Sequence, residues 1–372
     1  MPDIAVLIKP ASGLCNMSCD YCFYADEKQK RQKASYGFMT EETLRNVIRK
    51  TISQSRQGIS YAFQGGEPTL RGLDFFQKAM MYQTKYNKNH VPVYNSIQTN
   101  GLLIDEKWCG FLKENQFLVG LSADGIASVH DLYRHTENGG DTFARVRRAA
   151  DLLQQYGVPF NILTVVTGDL AKKADKVYRE YKKMGWDYQQ YIACIEPLEE
   201  QKREQSYAAE PVAYGQFMID LFEQWYADWK RGCQPYIRQF ENYIAILTGR
   251  QAEACDQRGV CGIQTVVEAD GGVYPCDFYV LDAYRMGNLN EEYYEEIRKK
   301  GETLGFVERS YNLSLSCRQC EYFSVCRGGC QRNREWNLSK ETYENYFCEA
   351  YRMFFDKCFI QLQEIADSVR EV

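Results

Sequence analysis

The distribution of cysteines constrains this chain more than any other feature of its sequence. Of 15 cysteines in 372 residues, three lie within residues 15–22 and eight within residues 255–348. A disulfide scaffold is typical of short secreted chains, whereas this chain is long and its N-terminus has no basic segment followed by a long apolar run. With only three histidines (His90, His130 and His135), zinc sites would have to be nearly all thiolate. The clustering therefore indicates metal binding.

Composition and charge exclude several other classes of protein. The net charge of -5 argues against a nucleic-acid-binding protein, which is usually basic. No stretch approaches the roughly 18 apolar residues of a membrane span. The length suits one large domain or two ordinary domains. We therefore expect a soluble, cytoplasmic monomer with no nucleic-acid or membrane partner.

The first two-thirds of the chain alternates short apolar runs with amphipathic stretches. The candidate strands are residues 4–9, 58–64, 92–98, 117–122, 158–166 and 187–192. The helical patterns between them cover residues 40–56, 72–88, 105–115, 141–156 and 171–184. Thr40 is a suitable N-cap for the first of these helices. Alternating strands and helices imply a parallel sheet, so the predicted fold class is α/β.

About six such units fit an incomplete (β/α)6 TIM-like barrel that is open on one side. A doubly wound sheet would give the same pattern in the sequence. In both architectures, ligands bind at the carboxyl ends of the strands.

The segment after the predicted sheet changes character. Residues 195–210 are polar and are predicted to form a surface connection, and helices are expected at 211–231 and 236–248. The first of these helices carries an aromatic stripe, for which we expect core or interdomain packing. The stripe consists of Phe217, Phe222, Trp225, Tyr226 and Trp229.

The cysteine-rich part, residues 255–348, has little periodicity, so metal ligation rather than a hydrophobic core is expected to set its fold. A final amphipathic helix is predicted at about 349–369. We thus expect a partial barrel with its connecting segment over 1–235, a C-terminal cysteine-rich iron–sulfur domain over 236–348, and a C-terminal helix over 349–372.

Three cysteines, Cys15, Cys19 and Cys22, follow the first predicted strand at close spacing. Soft thiolate ligands select iron–sulfur clusters or zinc. Three thiolates on a four-iron cluster would leave one iron open, whereas a structural zinc would need a fourth ligand, and the next candidates, His90 and Cys109, are far along the chain. The pattern Cys-x3-Cys-x2-Cys followed by an aromatic residue resembles the radical S-adenosylmethionine superfamily.

Other segments resemble the same superfamily and imply where its cofactor binds. The Gly-Gly-Glu-Pro segment at 65–68 resembles the motif that binds the methionine amino group, where glycines let the backbone approach closely and Glu67 offsets a positive charge. By turn chemistry alone this segment could be merely a turn. In the peptide-modifying branch, the positions of Ser122 and Arg134 hold the cofactor's carboxylate and ribose. The cofactor-binding residues implied by the resemblance are Tyr21, Tyr24, Gln64, Gly65, Gly66, Glu67, Ser122, Arg134 and Ile195.

Eight cysteines between residues 255 and 348 make two complete four-ligand sets, the number that two fully ligated clusters require. A pair of zinc-ribbon sites is the structural alternative on ligand count. The run Cys-x2-Cys-x5-Cys-x3-Cys resembles the SPASM extension of radical peptide maturases. By that resemblance, and not by spacing, one auxiliary cluster would use Cys255, Cys261, Cys276 and Cys330, and the other Cys317, Cys320, Cys326 and Cys348.

Over nearly its whole length the chain resembles the anaerobic sulfatase-maturing enzymes. The resemblance rests on the segments at residues 9–11, 22–24, 63–70, 98–101 and 274–279. It implies oxidation of a cysteine or serine in a sulfatase to Cα-formylglycine. The implied cofactors are S-adenosylmethionine and three 4Fe-4S clusters. The implied partners are a sulfatase polypeptide and an electron donor such as ferredoxin or flavodoxin.

Asp277 directly follows Cys276 and is predicted to be the general base. Ligation of Cys276 would fix the backbone of Asp277, and a rigidly held base can meet the substrate proton at a fixed distance. The alternative is a supporting carboxylate or a turn residue. Two other functions stay open for the chain: a radical maturase of another peptide, for example one that forms thioether crosslinks, and a non-enzymatic metal-binding or electron-transfer protein.

Overall fold

The computed structural model describes residues 2–195, 207–337 and 342–370. In these residues the strands β1 to β14 are, in chain order, Ile4–Ile8, Met17–Cys19, Ile59–Phe63, Val93–Thr99, Leu118–Ser122, Arg134–Thr136, Phe160–Val166, Tyr188–Ala193, Tyr236–Ile237, Thr265–Val267, Gly272–Tyr274, Gly287–Asn288, Arg334–Asn337 and Thr342–Asn345. The helices α1 to α15 are Phe23–Lys30, Glu41–Ile52, Leu73–Tyr86, Glu106–Glu114, Ala127–Tyr133, Phe143–Tyr156, Gly168–Ala171, Ala174–Lys183, Pro211–Trp229, Arg238–Leu247, Tyr294–Glu302, Phe306–Ser310, Leu315–Arg318, Phe323–Cys326 and Cys348–Arg370. Short 3₁₀ turns occupy Pro68–Arg71, Cys255–Gln257, Asp277–Tyr279, Asp282–Tyr284 and Gln331–Asn333.

The chain divides into two compact units, and neither is one continuous stretch. The first unit comprises Met1–Ser122, Asp131–Asn161 and Ile263–Phe306, and the second comprises Ala123–His130, Ile162–Gly262 and Val307–Val372. Residues 263–306, which the sequence analysis places in the cluster-binding domain, therefore fold with the first strands.

A mostly parallel sheet organises the first unit. Its strand order is β12-β11-β10-β1-β3-β4-β5. The strands β10, β1, β3, β4 and β5 form a parallel series, while β11 pairs in antiparallel fashion with both β10 and β12. Val6 of β1 pairs with Thr265 on one side and Tyr61 on the other. The predicted α/β class with a parallel sheet is confirmed.

Helix α2 shows how local sequence sets an element of this unit. The side chain of Thr40 accepts a hydrogen bond from the backbone N–H of Thr43 at 3.1 Å, which confirms the predicted N-cap. Aromatic rings of β3, α3 and α4 pack edge to face in the core of this unit. The centre of the Phe76 ring lies 5.0 Å from that of Phe63 and 5.2 Å from that of Trp108. The apolar face of the sheet is thus covered by large side chains.

The second unit contains the parallel strands β8 and β9 and most of β7. Its long helices α9 and α15 pack against each other, with the rings of Phe222 and Phe354 5.6 Å apart. Phe217, Phe222 and Trp225 are buried, so the core-packing interpretation of the aromatic stripe is confirmed for these three residues, whereas Tyr226 and Trp229 are half-buried.

The six predicted strands correspond to β1, β3, β4, β5, β7 and β8, with ends that differ by up to two residues. The short strands β2, β6, β10, β11 and β12 are not predicted, because two or three residues are too few to show a period. Of the predicted connection at 195–210, residues 196–206 lie outside the described residues. Within the described part of the chain, no helix is both long enough and apolar enough to span a membrane.

Candidate active site

The loop between β1 and α1 carries the first three cysteines. Cys15, Cys19 and Cys22 are all half-buried. Strand β2 pairs with β6 and places Cys19 opposite Arg134. The backbone N–H of Cys22 donates to the carbonyl of Cys19 at 3.1 Å. The structure thus presents three thiols on one short, hydrogen-bonded loop.

The environment of Cys15 fits a metal-bound sulfur. Its Sγ accepts hydrogen bonds from the backbone N–H of Met17 at 3.4 Å and from the side-chain amide of Asn100 at 3.7 Å. Burial raises the pKa of the Cys15 thiol to about 11. A thiolate in such a place needs a cation, and a bound metal supplies it. Together with the half-buried Cys19 and Cys22 on the same loop, Cys15 completes a set of three thiols suited to an iron–sulfur cluster.

The glycine segment after β3 packs against the loop that leads to the first cysteine. Gly65 and Gly66 have φ values of 100° and 55°, which only glycine adopts readily. A Cβ at Gly66 would lie 2.1 Å from the carbonyl oxygen of Leu14. The backbone N–H of Glu67 donates to that same oxygen at 2.8 Å. The two loops can therefore meet only if residue 66 has no side chain.

The carboxylate of Glu67 is buried and fully used within the protein. Oε1 accepts from the backbone N–H and the hydroxyl of Thr69 and from the hydroxyl of Thr99, at 2.6–3.0 Å. Oε2 accepts from the backbone N–H of Asn100 at 2.7 Å. Burial raises the pKa of Glu67, although these four hydrogen bonds oppose the increase. The side chain thus joins the end of β4 to the glycine segment.

The predicted contacts from β5 and β6 lie in the first unit. Ser122 ends β5, as predicted, and its hydroxyl accepts from Gln98 Nε2 at 2.9 Å. Arg134 is buried, and its guanidinium lies 5.3 Å from the centre of the Tyr21 ring. The structure therefore brings Arg134 beside the cysteine loop. Ile195 follows β8 in the second unit and is half-buried.

Asp277 lies in a buried hydrogen-bonded group of the first unit. Its Oδ2 accepts from the hydroxyl of Tyr24 at 2.5 Å and from Nε2 of Gln64 at 2.9 Å. Gln64 Nε2 also donates to the Tyr24 oxygen at 2.9 Å. Burial raises the pKa of Tyr24 well above its ordinary value, so this phenol stays protonated and serves as a donor. The Asp277 carboxylate is thereby held through one of its two oxygens, next to Cys276.

A lysine completes this buried group. Lys9 is 2 % exposed, and its Nζ lies 3.7 Å from Oε2 of Glu27 and 3.7 Å from Oδ1 of Asp277. Burial raises the pKa of Glu27 to about 8 and also raises the pKa of Asp277, since one ammonium does not balance two buried carboxylates. Burial alone would lower the pKa of Lys9, but the two carboxylates outweigh it and raise that pKa.

In the second unit, Cys330 lies with the first pair of its cysteines. Burial raises the pKa of the Cys330 thiol to about 12, and the nearby thiols of Cys255 and Cys261 raise it further. The backbone N–H of Arg332 donates to Cys330 Sγ at 3.4 Å. The thiols of Cys255, Cys261 and Cys330 therefore lie near one another in the second unit. Cys276, the fourth predicted ligand, is half-buried in the first unit.

The other predicted ligand set lies wholly within the second unit. Burial raises the pKa of Cys326 to about 12, and Cys317, Cys348 and Cys320 raise it further because they lie near it. The hydroxyl of Ser314 accepts from the backbone N–H of Cys317 at 3.2 Å and fixes the start of α13.

One arginine connects the loops that carry both of these groups of cysteines. Arg334 is buried, and its guanidinium donates to four backbone carbonyls. The acceptors are Gly259 at 3.1 Å, Ser310 at 2.5 Å, Gly328 at 3.1 Å and Gly329 at 2.6 Å. Without this arginine, four buried carbonyls would lose a donor.

The sequence analysis does not single out Glu27 or Arg334. Neither belongs to a recognisable spacing, because each acts on residues far away in the chain. For Lys9 a signal exists: a lysine directly after an apolar strand needs a buried partner for its charge.

The sequence matches known protein families over both cysteine regions. The profile of the Radical SAM superfamily matches residues 10–181, and that of an iron-sulfur cluster-binding domain matches residues 259–321. A cysteine-type anaerobic sulfatase-maturating enzyme from Clostridium perfringens is 42% identical over 370 residues, covering 100% of both chains. This chain belongs to the anaerobic sulfatase-maturating enzymes.

More distant and structural comparisons agree with membership of this family. A serine-type anaerobic sulfatase-maturating enzyme from Bacteroides thetaiotaomicron is 30% identical, over 94% of this chain and 88% of that protein. The solved structure of native anSMEcpe with bound AdoMet and Cp18Cys peptide matches with a TM-score of 0.92 and 42% identity, over 98% of this chain and 99% of that one. The fold of this chain therefore matches that of a solved anaerobic sulfatase-maturating enzyme over nearly all of its length.

Membership of the anaerobic sulfatase-maturating enzymes decides between the functional classes. The protein is a radical SAM oxidoreductase with S-adenosylmethionine and iron–sulfur clusters as cofactors, as predicted. The prediction of an enzyme is confirmed, and the alternative of a non-enzymatic electron-transfer protein is wrong.

Proposed function

We propose that this sulfatase-maturating enzyme oxidises a cysteine, rather than a serine, of its sulfatase polypeptide to Cα-formylglycine. Cysteine is proposed as the target because the chain is 42% identical to a cysteine-type relative but only 30% identical to a serine-type relative. The reaction is placed in the cytoplasm, where thiols stay reduced. Ferredoxin or flavodoxin is the proposed electron donor.

The cofactor is proposed to bind between the cysteine loop and the carboxyl ends of the parallel strands. Cys15, Cys19 and Cys22 supply the ligands of the open cluster, and their half-burial on one loop supports this role. Eight residues proposed to contact S-adenosylmethionine belong to the first unit: Tyr21, Tyr24, Gln64, Gly65, Gly66, Glu67, Ser122 and Arg134. Ile195, which follows β8 in the second unit, is proposed with them on the family resemblance.

Glu67 contributes to this site through the shape of its loop. Its carboxylate holds Thr69, Thr99 and the backbone of Asn100, so the glycine segment is fixed with its backbone turned to the cysteine loop. The buried negative charge of Glu67 also favours a positively charged methionine amino group nearby.

Two further clusters are proposed in the auxiliary sites. One proposed ligand set consists of Cys255, Cys261, Cys276 and Cys330. It is supported by the thiols of Cys255 and Cys261, which lie close enough to Cys330 to raise its pKa. Cys317, Cys320, Cys326 and Cys348 form the other, supported by the mutual influence of their thiols. One of these clusters is proposed to take the remaining electron of the reaction.

The protein's own acid–base chemistry is proposed to fall to Asp277. When bound, the cofactor and a reduced cluster together supply a radical able to remove a hydrogen atom from the β-carbon of the substrate cysteine. Loss of that hydrogen atom, of the thiol proton and of one electron leaves a thioaldehyde, which water hydrolyses to formylglycine with release of sulfide. Oδ1 of Asp277 has no hydrogen-bond partner in the described residues, so it can accept the thiol proton.

The oxygen Oδ2 of Asp277 has a different task. Tyr24 and Gln64 bond to it and fix the plane of the carboxylate, as a base with a defined approach requires. Asp277 is 8 % exposed, so most of its surface is shielded from water.

Mass spectrometry of a target peptide after anaerobic incubation tests the proposal. A sulfatase peptide with cysteine at the target position should gain the mass change of thiol-to-aldehyde conversion. The same peptide with serine should react more slowly, and one with alanine should not react. A serine peptide converted faster than the cysteine peptide would reject the proposed preference, and a crosslinked product without aldehyde would reject the reaction.

A further inference from the structure

Lys9 links the glycine segment to the proposed base. It directly follows β1 and is buried in the first unit. Its aliphatic stem lies against Gly65, where a Cβ would come within 2.7 Å of Lys9 Cε and 2.8 Å of Lys9 Cγ. Its ammonium then reaches Glu27 and Asp277, at 3.7 Å each, and lies 4.1 Å from the centre of the Tyr24 ring.

The charges around this ammonium show that it is needed there. The buried guanidinium of Arg31 lies 2.6 Å from Glu268 and is therefore committed to that carboxylate. Lys9 is the cation that Glu27 and Asp277 both contact. Loss of Lys9 would leave both buried carboxylates without a cation and destabilise the folded protein, so these contacts hold the group together.

The contact between Lys9 and Asp277 has an unusual form for a buried ion pair. Nζ is 3.7 Å from Oδ1, beyond the distance of an N–H···O hydrogen bond. The other oxygen, Oδ2, takes hydrogen bonds from Tyr24 and Gln64. Lys9 therefore attracts Oδ1 without occupying its lone pairs, and that oxygen can still accept a proton.

We propose that Lys9 is a positioning residue for the oxidation: it holds Oδ1 of Asp277 in place for the substrate proton while leaving that oxygen unbonded. The inference rests on the proposed role of Asp277 as the base. It is carried by the packing of Lys9 against Gly65 and by its two contacts with Glu27 and Asp277. A displacement of a reacting group by about 1 Å reduces rates on the order of 10²-fold, so the effect of losing Lys9 is measurable.

The variant Lys9→Met keeps most of the stem and removes the charge. Iron content, affinity for S-adenosylmethionine and KM for the peptide should stay unchanged. The amount of formylglycine made per 5′-deoxyadenosine released should fall by about 10- to 100-fold. Glu27→Gln is the matched control: it removes one carboxylate but leaves the Lys9–Asp277 contact, and this ratio should stay near that of the wild type.

The double variant Lys9→Met/Glu27→Gln separates positioning from charge balance. It should recover the thermal stability that Lys9→Met loses, because one unpaired carboxylate is gone, but its product ratio should stay low. If Lys9→Met does not fold, the double variant carries the test. Recovery of the ratio in the double variant would show that Lys9 only balances Glu27 and would overturn the inference.

Two further results would also overturn the role of Lys9. One is an unchanged product ratio in Lys9→Met, and the other is loss of iron or of cofactor affinity, which would make Lys9 a structural support of the glycine segment. The variant Asp277→Asn separates this inference from its premise. Normal formylglycine yield in Asp277→Asn rejects the base itself, whereas an inactive Asp277→Asn beside a normal Lys9→Met rejects only the inference about Lys9.

Discussion

The two cysteine regions of this molecule are held in place by different means. The loop with Cys15, Cys19 and Cys22 lies between β1 and α1, and the pairing of β2 with β6 fixes its backbone. In the second unit, Cys317 and Cys326 lie on short helices, Cys320 and Cys330 lie between elements, and Cys348 begins the long helix α15. One buried guanidinium, that of Arg334, binds four of the surrounding carbonyls. Backbone pairing supports the first region, and a polar side chain supports the second.

The difference indicates how each region should respond to loss of its metal. Strand pairing does not depend on the thiols, so the first loop is expected to keep its shape without a cluster. The second region has few buried apolar side chains in its short helices, and its loops depend on ligation and on one arginine. We therefore expect loss of the first three thiols to affect catalysis and loss of the second set to affect stability.

The largest difference between the two regions is expected when the first three thiols are removed. Replacement of Cys15, Cys19 and Cys22 by alanine should abolish cofactor cleavage and lower the iron content from about twelve to about eight per chain. The melting temperature should change little. The exposed Cys233, changed to alanine, is the control and should keep all of the iron and all of the activity. Stoichiometric zinc with little iron in protein purified without air would contradict the expectation.

In the second region, loss of the supporting arginine should lower the stability of the fold as well as the iron content. Arg334→Met leaves the buried carbonyls of Gly259, Ser310 and Gly329 without a donor among the described residues, at about 1–3 kcal/mol each, while Gly328 keeps its hydrogen bond from Asn345. The free energy of unfolding should therefore fall by at least about 3 kcal/mol. Iron should fall towards about four per chain, because both auxiliary ligand sets lose their support. Thermal melts and iron assays measure these effects.

The exposed Arg318, which donates to one carbonyl, gives a matched control for this variant. Arg318→Met should cost less than about 1 kcal/mol. Equal losses of stability in the two variants would show that Arg334 has no special place in the region.

Within the first unit, Asp277→Asn separates proton acceptance from cluster binding and cofactor cleavage. The variant should keep all three clusters and still cleave the cofactor, while formylglycine formation falls by about 10²-fold or more, because the amide cannot take the thiol proton. Iron assay, 5′-deoxyadenosine release and peptide mass should be measured on one sample. A parallel loss of iron, cleavage and product would instead assign Asp277 to the support of the cluster ligands.

The smallest effect is expected for Arg134→Ala. Loss of a charge-assisted hydrogen bond to the cofactor should weaken its binding by about 1.5–3 kcal/mol, or roughly ten- to over a hundredfold, with no loss of iron. Equilibrium binding of S-adenosylmethionine to the anaerobic protein checks this. Arg147, exposed on α6, is the control, and its alanine variant should bind the cofactor normally. Unchanged affinity in Arg134→Ala would reject the assignment.

The elements of the sheet could be predicted from the sequence because each carries its own period. Six strands and the cap at Thr40 follow from local patterns that the structure bears out. The compact units could not be predicted, since β10 joins β1 by a parallel pairing across more than half of the chain, and no local pattern encodes such a partner.

The site divides in the same way. The cysteine spacing and the Gly-Gly-Glu-Pro segment are local motifs of a few residues each, so the sequence alone predicts them as parts of the cofactor site. The four acceptors of Arg334 and the contacts of Glu27 with Lys9 are long-range, so their physical cause appears only when the chain is folded. Glu67 shows the limit most clearly: its type was predicted to matter for charge, yet its hydrogen bonds to Thr69 and Thr99 depend on the fold.

The hydrogen bonds of Glu67 also bear on how this protein can diverge. One buried carboxylate serves the hydroxyls of Thr69 and Thr99 and two main-chain donors. Replacement of Glu67, Thr69 or Thr99 leaves a hydrogen-bonding group of the other two without its partner. We therefore expect the three residues to evolve together. Among descendants of a common ancestor, replacements at residues 67, 69 and 99 should occur together or not at all. Lineages that have exchanged the acid should be recognisable by the simultaneous exchange of both threonines.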